Sequence, residues 1–96
     1  MKAIFQTQYG STDVLTCGEQ AKPEITSQQI LVENHAASIN PRDWLIRSGK
    51  YQMQFAVPKF PLILGSDFAG VVVKVGSQVK NFKAGDSVYG MKNPKD

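Results

Sequence analysis

The sequence predicts a mainly β domain, a small barrel or sandwich carrying one short helix. Short apolar stretches alternate with turn-forming residues, including eight Gly and five Pro among 96 residues. One segment only carries both the start and the stop signals of a helix. A chain of 96 residues buries roughly 60–65 % of its unfolded surface, enough for one core and too little for a complete two-domain enzyme.

Residues 2–6 read as a short strand, Tyr9-Gly10-Ser11 as a turn in which Gly supplies a positive φ, and residues 13–17 as the return strand of a hairpin. Residues 20–28, with Pro23, suit a connection. Residues 29–37 form a strand with Ile30 and Val32 on one face and Glu33 and His35 on the opposite, wetter one. The helix follows. Asn40 is its N-cap, Pro41 stands at N1 where a missing N–H costs nothing, and Asp43 at N3 meets the positive end of the dipole. Gly49 ends it, so the helix covers about residues 41–48, short enough to need packing through Trp44, Leu45 or Ile46. Residues 50–64 place Pro58 and Pro61 among Tyr51, Phe55, Phe60 and Leu62, an apolar but irregular loop. Residues 66–76 are the strongest strand, with Ala69, Val71, Val73 and Val75 on one face and Phe68, Val72 and Lys74 on the other. Gly76-Ser77 and Ala84-Gly85-Asp86 are turns, the second leading into a strand at 87–89, and the tail from Lys92 is polar.

Composition excludes several classes of function. Eleven Lys and Arg against eight Asp and Glu give a net charge of +3. Lys74, Lys80, Lys83, Lys92 and Lys95 are dispersed without interleaved aromatic residues, which is a solvated face and no nucleic-acid surface. No stretch approaches the ~18 apolar residues that span a bilayer, so no membrane partner is expected. Met1-Lys2-Ala3-Ile4-Phe5 turns polar at Gln6, so no signal-peptide core is expected. The single Cys17 excludes an intrachain disulfide and points to the cytoplasm; it reads as a small half-buried strand residue. His35 reads as a solvent-facing strand residue, and one His with one Cys makes neither a cluster of zinc ligands nor a Cys–His dyad. No two of the eight glycines are one residue apart, so a G-x-G-x-x-G fingerprint is absent, as is a P-loop.

The order of residues carries more. Asn40-Pro41-Arg42-Asp43-Trp44-Leu45-Ile46-Arg47-Ser48-Gly49-Lys50-Tyr51 precedes Phe60-Pro61-Leu62-Ile63-Leu64-Gly65-Ser66-Asp67-Phe68-Ala69-Gly70, then Val71 to Gly76, Phe82 and Gly85-Asp86-Ser87-Val88-Tyr89-Gly90. This resembles the N-terminal part of the medium-chain dehydrogenase/reductase superfamily, and within it the zinc-independent quinone oxidoreductases and related enone reductases. The resemblance covers essentially the whole chain but only the first part of a family member. It implies a GroES-like, partly open β-barrel over residues 1–96, a fragment lacking the Rossmann domain that binds NADPH, and lacking the late strands that complete the barrel.

The resemblance also assigns candidate residues. Zinc-dependent members carry Cys where Asn40 stands, His where Ser66 stands and often Glu where Asp67 stands, so no zinc is expected. Asn40, Asp43 and Tyr51 are the candidate catalytic residues, and Asn40 and Ser66 the candidate cofactor contacts. Asn40 would donate its amide to a carbonyl oxygen or to the nicotinamide ribose, Asp43 would hold Asn40 or Arg47, Tyr51 would line the pocket or donate its hydroxyl, and Ser66 would donate a hydrogen bond. Asn40 and Asp43 are equally accounted for as cap residues, Tyr51 as packing and Ser66 as the start of a strand. Leu45 stands where some reductases of this branch carry Tyr. The expected function is the catalytic-domain portion of an NADPH-dependent oxidoreductase that reduces quinones or activated carbonyls by hydride transfer. The alternatives are a fragment of a zinc-dependent alcohol dehydrogenase and a stand-alone GroES-like interaction or co-chaperonin module. By itself the chain is expected to be inactive and to self-associate as a homo-oligomer.

Overall fold

A computed structural model describes residues 1–50 and 59–92. They form five strands, one α-helix and one 3-10 turn, in two compact units: Met1–Ala21 with Ile39–Gly65, and Lys22–Ser38 with Ser66–Asp96. The described chain is mainly β with one short helix, as the residue pattern predicts, and neither sheet closes on itself.

In the first unit, β1 (Lys2–Phe5) pairs antiparallel with β2 (Thr16–Glu19), Lys2 lying opposite Glu19 and Phe5 opposite Thr16. The return strand thus begins later than the 13–17 expected. Thr12–Val14 instead wind into a 3-10 turn, N-capped by Ser11, whose hydroxyl accepts the Asp13 N–H at 3.4 Å. Side-chain bonds of this kind draw the backbone away from a ladder. Gly10 has no positive φ, contrary to expectation; its value lies in space, because a Cβ there would stand 2.7 Å from Cγ1 of Val14. Cys17 lies on β2 but is exposed rather than half-buried, for a two-stranded ribbon leaves an outer face.

Beyond β1, Gln6 exchanges two backbone hydrogen bonds with Leu62, at 2.9 and 2.8 Å. Helix α1 (Pro41–Ser48) has the bounds its caps predict. Gly49 closes it at φ 88°, a conformation that suits only a residue without a Cβ, and its N–H reaches the Ile46 carbonyl at 3.1 Å. No residue of α1 is fully buried. Leu45 and Ile46 are half-buried, whereas Trp44 is 46 % exposed, with Nζ of Lys50 5.7 Å from its ring centroid. The Tyr9 ring meets Phe60 edge-on, centroids 5.2 Å apart, and lies against Gly49. Much of the loop expected at 50–64, Tyr51 and Phe55 included, lies outside the described residues.

In the second unit β3 (Ile30–Ala36), β4 (Asp67–Val75) and β5 (Ser87–Met91) form an antiparallel sheet in that order. The β3–β4 register slips twice. Leu31 faces Lys74 and Val32 faces Val72, leaving Val73 as an extra residue; Asn34 faces Gly70 and Ala36 faces Ala69, leaving His35 as another. A bulge sets two residues against one and breaks the alternation. The expected face of Val71, Val73 and Val75 is therefore split: Val73 is 45 % exposed, while Val72 is 1 % exposed and is the fully buried apolar side chain among the described residues. On β5, Val88 and Gly90 are half-buried, and the Phe68 ring covers Gly90, its partner across the ladder.

Two glycines here act through close approach. A Cβ on Gly70 would collide with the Glu33 carbonyl of β3, and one on Gly76 with the backbone of Thr26 and Ser27. Gly85 differs: its φ is 97°, but the space around it is open. Gly70→Ala should therefore cost about 3 kcal/mol or more by overpacking, and Gly85→Ala only about 1–2 kcal/mol from the left-handed backbone. Urea titrations followed by circular dichroism check this order; equal midpoints would show that β3 and β4 part freely at Gly70.

Candidate functional site

The start of α1 brings two of the predicted site residues together. Asn40 has extended backbone, φ −127° and ψ 157°, and its carbonyl accepts the Asp43 N–H at 2.9 Å. Oδ2 of Asp43 accepts the Asn40 N–H, also at 2.9 Å, closing a capping box. Asp43 thus holds Asn40 through the backbone while its charge sits at the positive end of the helix. Arg47 turns elsewhere: its Nε donates to the Gly10 carbonyl at 3.2 Å. Both Asn40 and Asp43 are half-buried.

Ser66 belongs to the other unit. It is half-buried just ahead of β4, and its carbonyl accepts the Lys92 N–H at 2.7 Å. Next to it, Oδ2 of Asp67 accepts a hydrogen bond from the Ser38 hydroxyl, and Oδ1 of Asn34 accepts the Ala69 N–H at 3.1 Å. Ser38 carries no motif; only the antiparallel return of β4 along β3 brings it to Asp67. Tyr51 lies outside the described residues. His35 is an exposed strand residue whose Nε2 stands 3.6 Å from the Glu33 carboxylate.

Asn40 and Ser66 offer neutral donor and acceptor groups. A carboxamide at position 40 and a hydroxyl at 66 suit a carbonyl oxygen or a sugar hydroxyl, and both are poor ligands for zinc, which prefers thiolate and imidazole. Among the described residues no three His, Cys, Asp or Glu side chains gather as a metal site.

A fold of this kind, with a capped helix carrying Asn-Pro-x-Asp, has recognisable relatives. The model of the alcohol dehydrogenase GroES-like domain matches residues 26–95, and the chain belongs to that family. More particularly, it is 48 % identical over 91 residues to a 2-methylene-furan-3-one reductase of Solanum lycopersicum, 94 % of this chain and 23 % of that protein. It is 44 % identical over 90 residues to the chloroplastic NADPH-dependent alkenal/one oxidoreductase of Arabidopsis thaliana, 93 % of this chain and 23 % of that protein. The quinone oxidoreductase of Escherichia coli, solved in complex with NADPH, superimposes with a TM-score of 0.82 at 40 % identity, covering 93 % of this chain and 26 % of that one. The chain spans about a quarter of the length of these relatives.

The capping box gives a direct expectation. Asp43→Ala removes the acceptor of the Asn40 N–H and should cost about 1 kcal/mol, whereas Asn40→Gly should cost only a few tenths. Denaturant midpoints at constant slope measure both. If Asp43→Ala proves as stable as the parent chain, the carboxylate is not holding the helix.

Proposed function

We propose that this chain is the GroES-like, substrate-side part of an NADPH-dependent oxidoreductase that reduces quinones or activated carbonyls by hydride transfer, without zinc. One observation carries the proposal: the capped start of α1 holds a neutral amide, Asn40, where a zinc-dependent enzyme needs a thiolate. The names of the relatives, reductases and oxidoreductases of alkenals and quinones, support the same substrate class.

In this reading the bound cofactor supplies a hydride with its electron pair, and the protein supplies position and polarity. Asn40 donates its side-chain N–H to the oxygen on which negative charge develops, or to the ribose of the cofactor. Asp43 fixes the backbone that carries it. The resemblance would make Ser66 a cofactor contact, and Tyr51, which lies outside the described residues, a pocket wall or hydroxyl donor. The nucleotide itself would be held mainly by a Rossmann domain, since this chain has no G-x-G-x-x-G.

In the full-length protein, Asn40→Ala should lower kcat for NADPH oxidation by a quinone on the order of 10²-fold, far beyond what the loss of a cap does to stability. Normal turnover of the folded fraction would reduce Asn40 to a cap. Elemental analysis should give much less than one zinc per chain; near-stoichiometric zinc surviving dialysis would overturn the zinc-free reading. The 96-residue chain alone should leave NADPH at its uncatalysed rate of oxidation. We also propose homo-oligomeric assembly, read by light scattering, and a cytoplasmic site, read by fluorescent fusion.

A further inference from the structure

We propose that Gln6 is a positioning residue for the Asn40 site, acting from the far end of α1; this rests on the reading of Asn40 given above. Gln6 is 0 % exposed, the fully buried polar side chain among the described residues. Its Nε2 donates to the Arg47 carbonyl at 3.1 Å and to the Gln8 carbonyl at 2.8 Å. Both amide hydrogens are thereby used, so the orientation of the group is fixed: turning it over would set its oxygen against two carbonyls. Its own backbone N–H and carbonyl both bond to Leu62. The same Arg47 carbonyl accepts the Gly10 N–H at 3.1 Å, and Nε of Arg47 returns a bond to the Gly10 carbonyl at 3.2 Å.

These ties secure the last turn of the helix. α1 is eight residues long and has no fully buried side chain. A helix so short is not stable on its own and takes its place from tertiary contacts. Among the described residues, the Arg47 carbonyl takes two such contacts, one from the Gly10 N–H and one from Gln6, which directly follows β1. A two-turn helix is stiff, so a shift at Arg47 is carried to Asn40 at the other end. Among the described residues, Oε1 of Gln6 is buried and meets no hydrogen-bond donor. Packing alone does not require the two donor bonds, since an apolar side chain of the same length would fill the space without them.

The test is Gln6→Met in the full-length protein, which keeps length and removes both donors and the orphan acceptor. The expected result is a kcat for NADPH-dependent quinone reduction lowered on the order of 10- to 100-fold, the scale of a displacement near 1 Å, with a shift of the Asn40 side-chain amide signals in the ¹⁵N–¹H spectrum. An unchanged kcat with unmoved Asn40 signals overturns the proposal. If the parent protein has no such turnover, the oxidoreductase reading fails, and the Asn40 signals alone decide: displaced, Gln6 positions the helix start; unmoved, it does not. Should Gln6→Met not fold, Gln6→Glu replaces it. Its carboxyl donates only when protonated, so turnover relative to the parent should rise as pH falls through the raised pKa of a buried carboxyl. A ratio flat with pH overturns the proposal.

Discussion

The three-stranded sheet depends on one close approach, that of Gly70 on β4 to the Glu33 carbonyl on β3. No other residue type leaves room for it. With the strands this near, Val72 lies opposite Val32 and becomes fully buried, and both flanking bulges fall within reach of the contact. β4 then pairs on its other edge with β5 over Asp67 to Val71. The turns follow the same strand: the Gly76 N–H reaches the Gln29 carbonyl at 2.8 Å, and Gly85 and Asp86 close onto Val72 at 2.8 and 2.9 Å. The sheet is organised by backbone proximity more than by a large apolar interior.

The first unit solves a similar shortage by polar means. Its helix exposes Trp44 and half-buries Leu45 and Ile46, so hydrophobic burial holds it weakly. The Gln6 amide, the Gly10 backbone and the Arg47 side chain meet at its last turn, while Asp43 secures the first. Hydrogen bonds are directional where apolar contact is not. A helix held this way has a defined rotation and end point.

Local stereochemistry made part of this legible in the sequence. Asn40, Pro41, Asp43 and Gly49 act within a few residues of themselves, and α1 falls where they put it. The long alternation from Phe68 to Val75 announced β4 within a residue at each end. The misses share a cause. The bulge at Val73 depends on register with another strand, and a pattern read along one strand does not contain it. The late start of β2 turns on the Ser11 hydroxyl, a signal present in Ser11-Thr12-Asp13. Gln6 read as the polar end of a strand, and Ser38 as nothing in particular. The Arg47 partner of Gln6 and the Asp67 partner of Ser38 lie 41 and 29 residues away, beyond any local rule. The candidate residues Asn40, Asp43 and Ser66 came from family resemblance and could not be separated from capping and strand roles by residue chemistry alone.

The pairing of Trp44 with Lys50 has a practical side. Trp44 is the single tryptophan of the chain, it follows Asp43 directly, and its ring lies half in solvent beneath an ammonium group. An indole excited state is sensitive to charge near its face and to the water around it. This 96-residue chain therefore carries its own optical label on the helix that follows Asn40, and its emission reports on that helix with no dye attached.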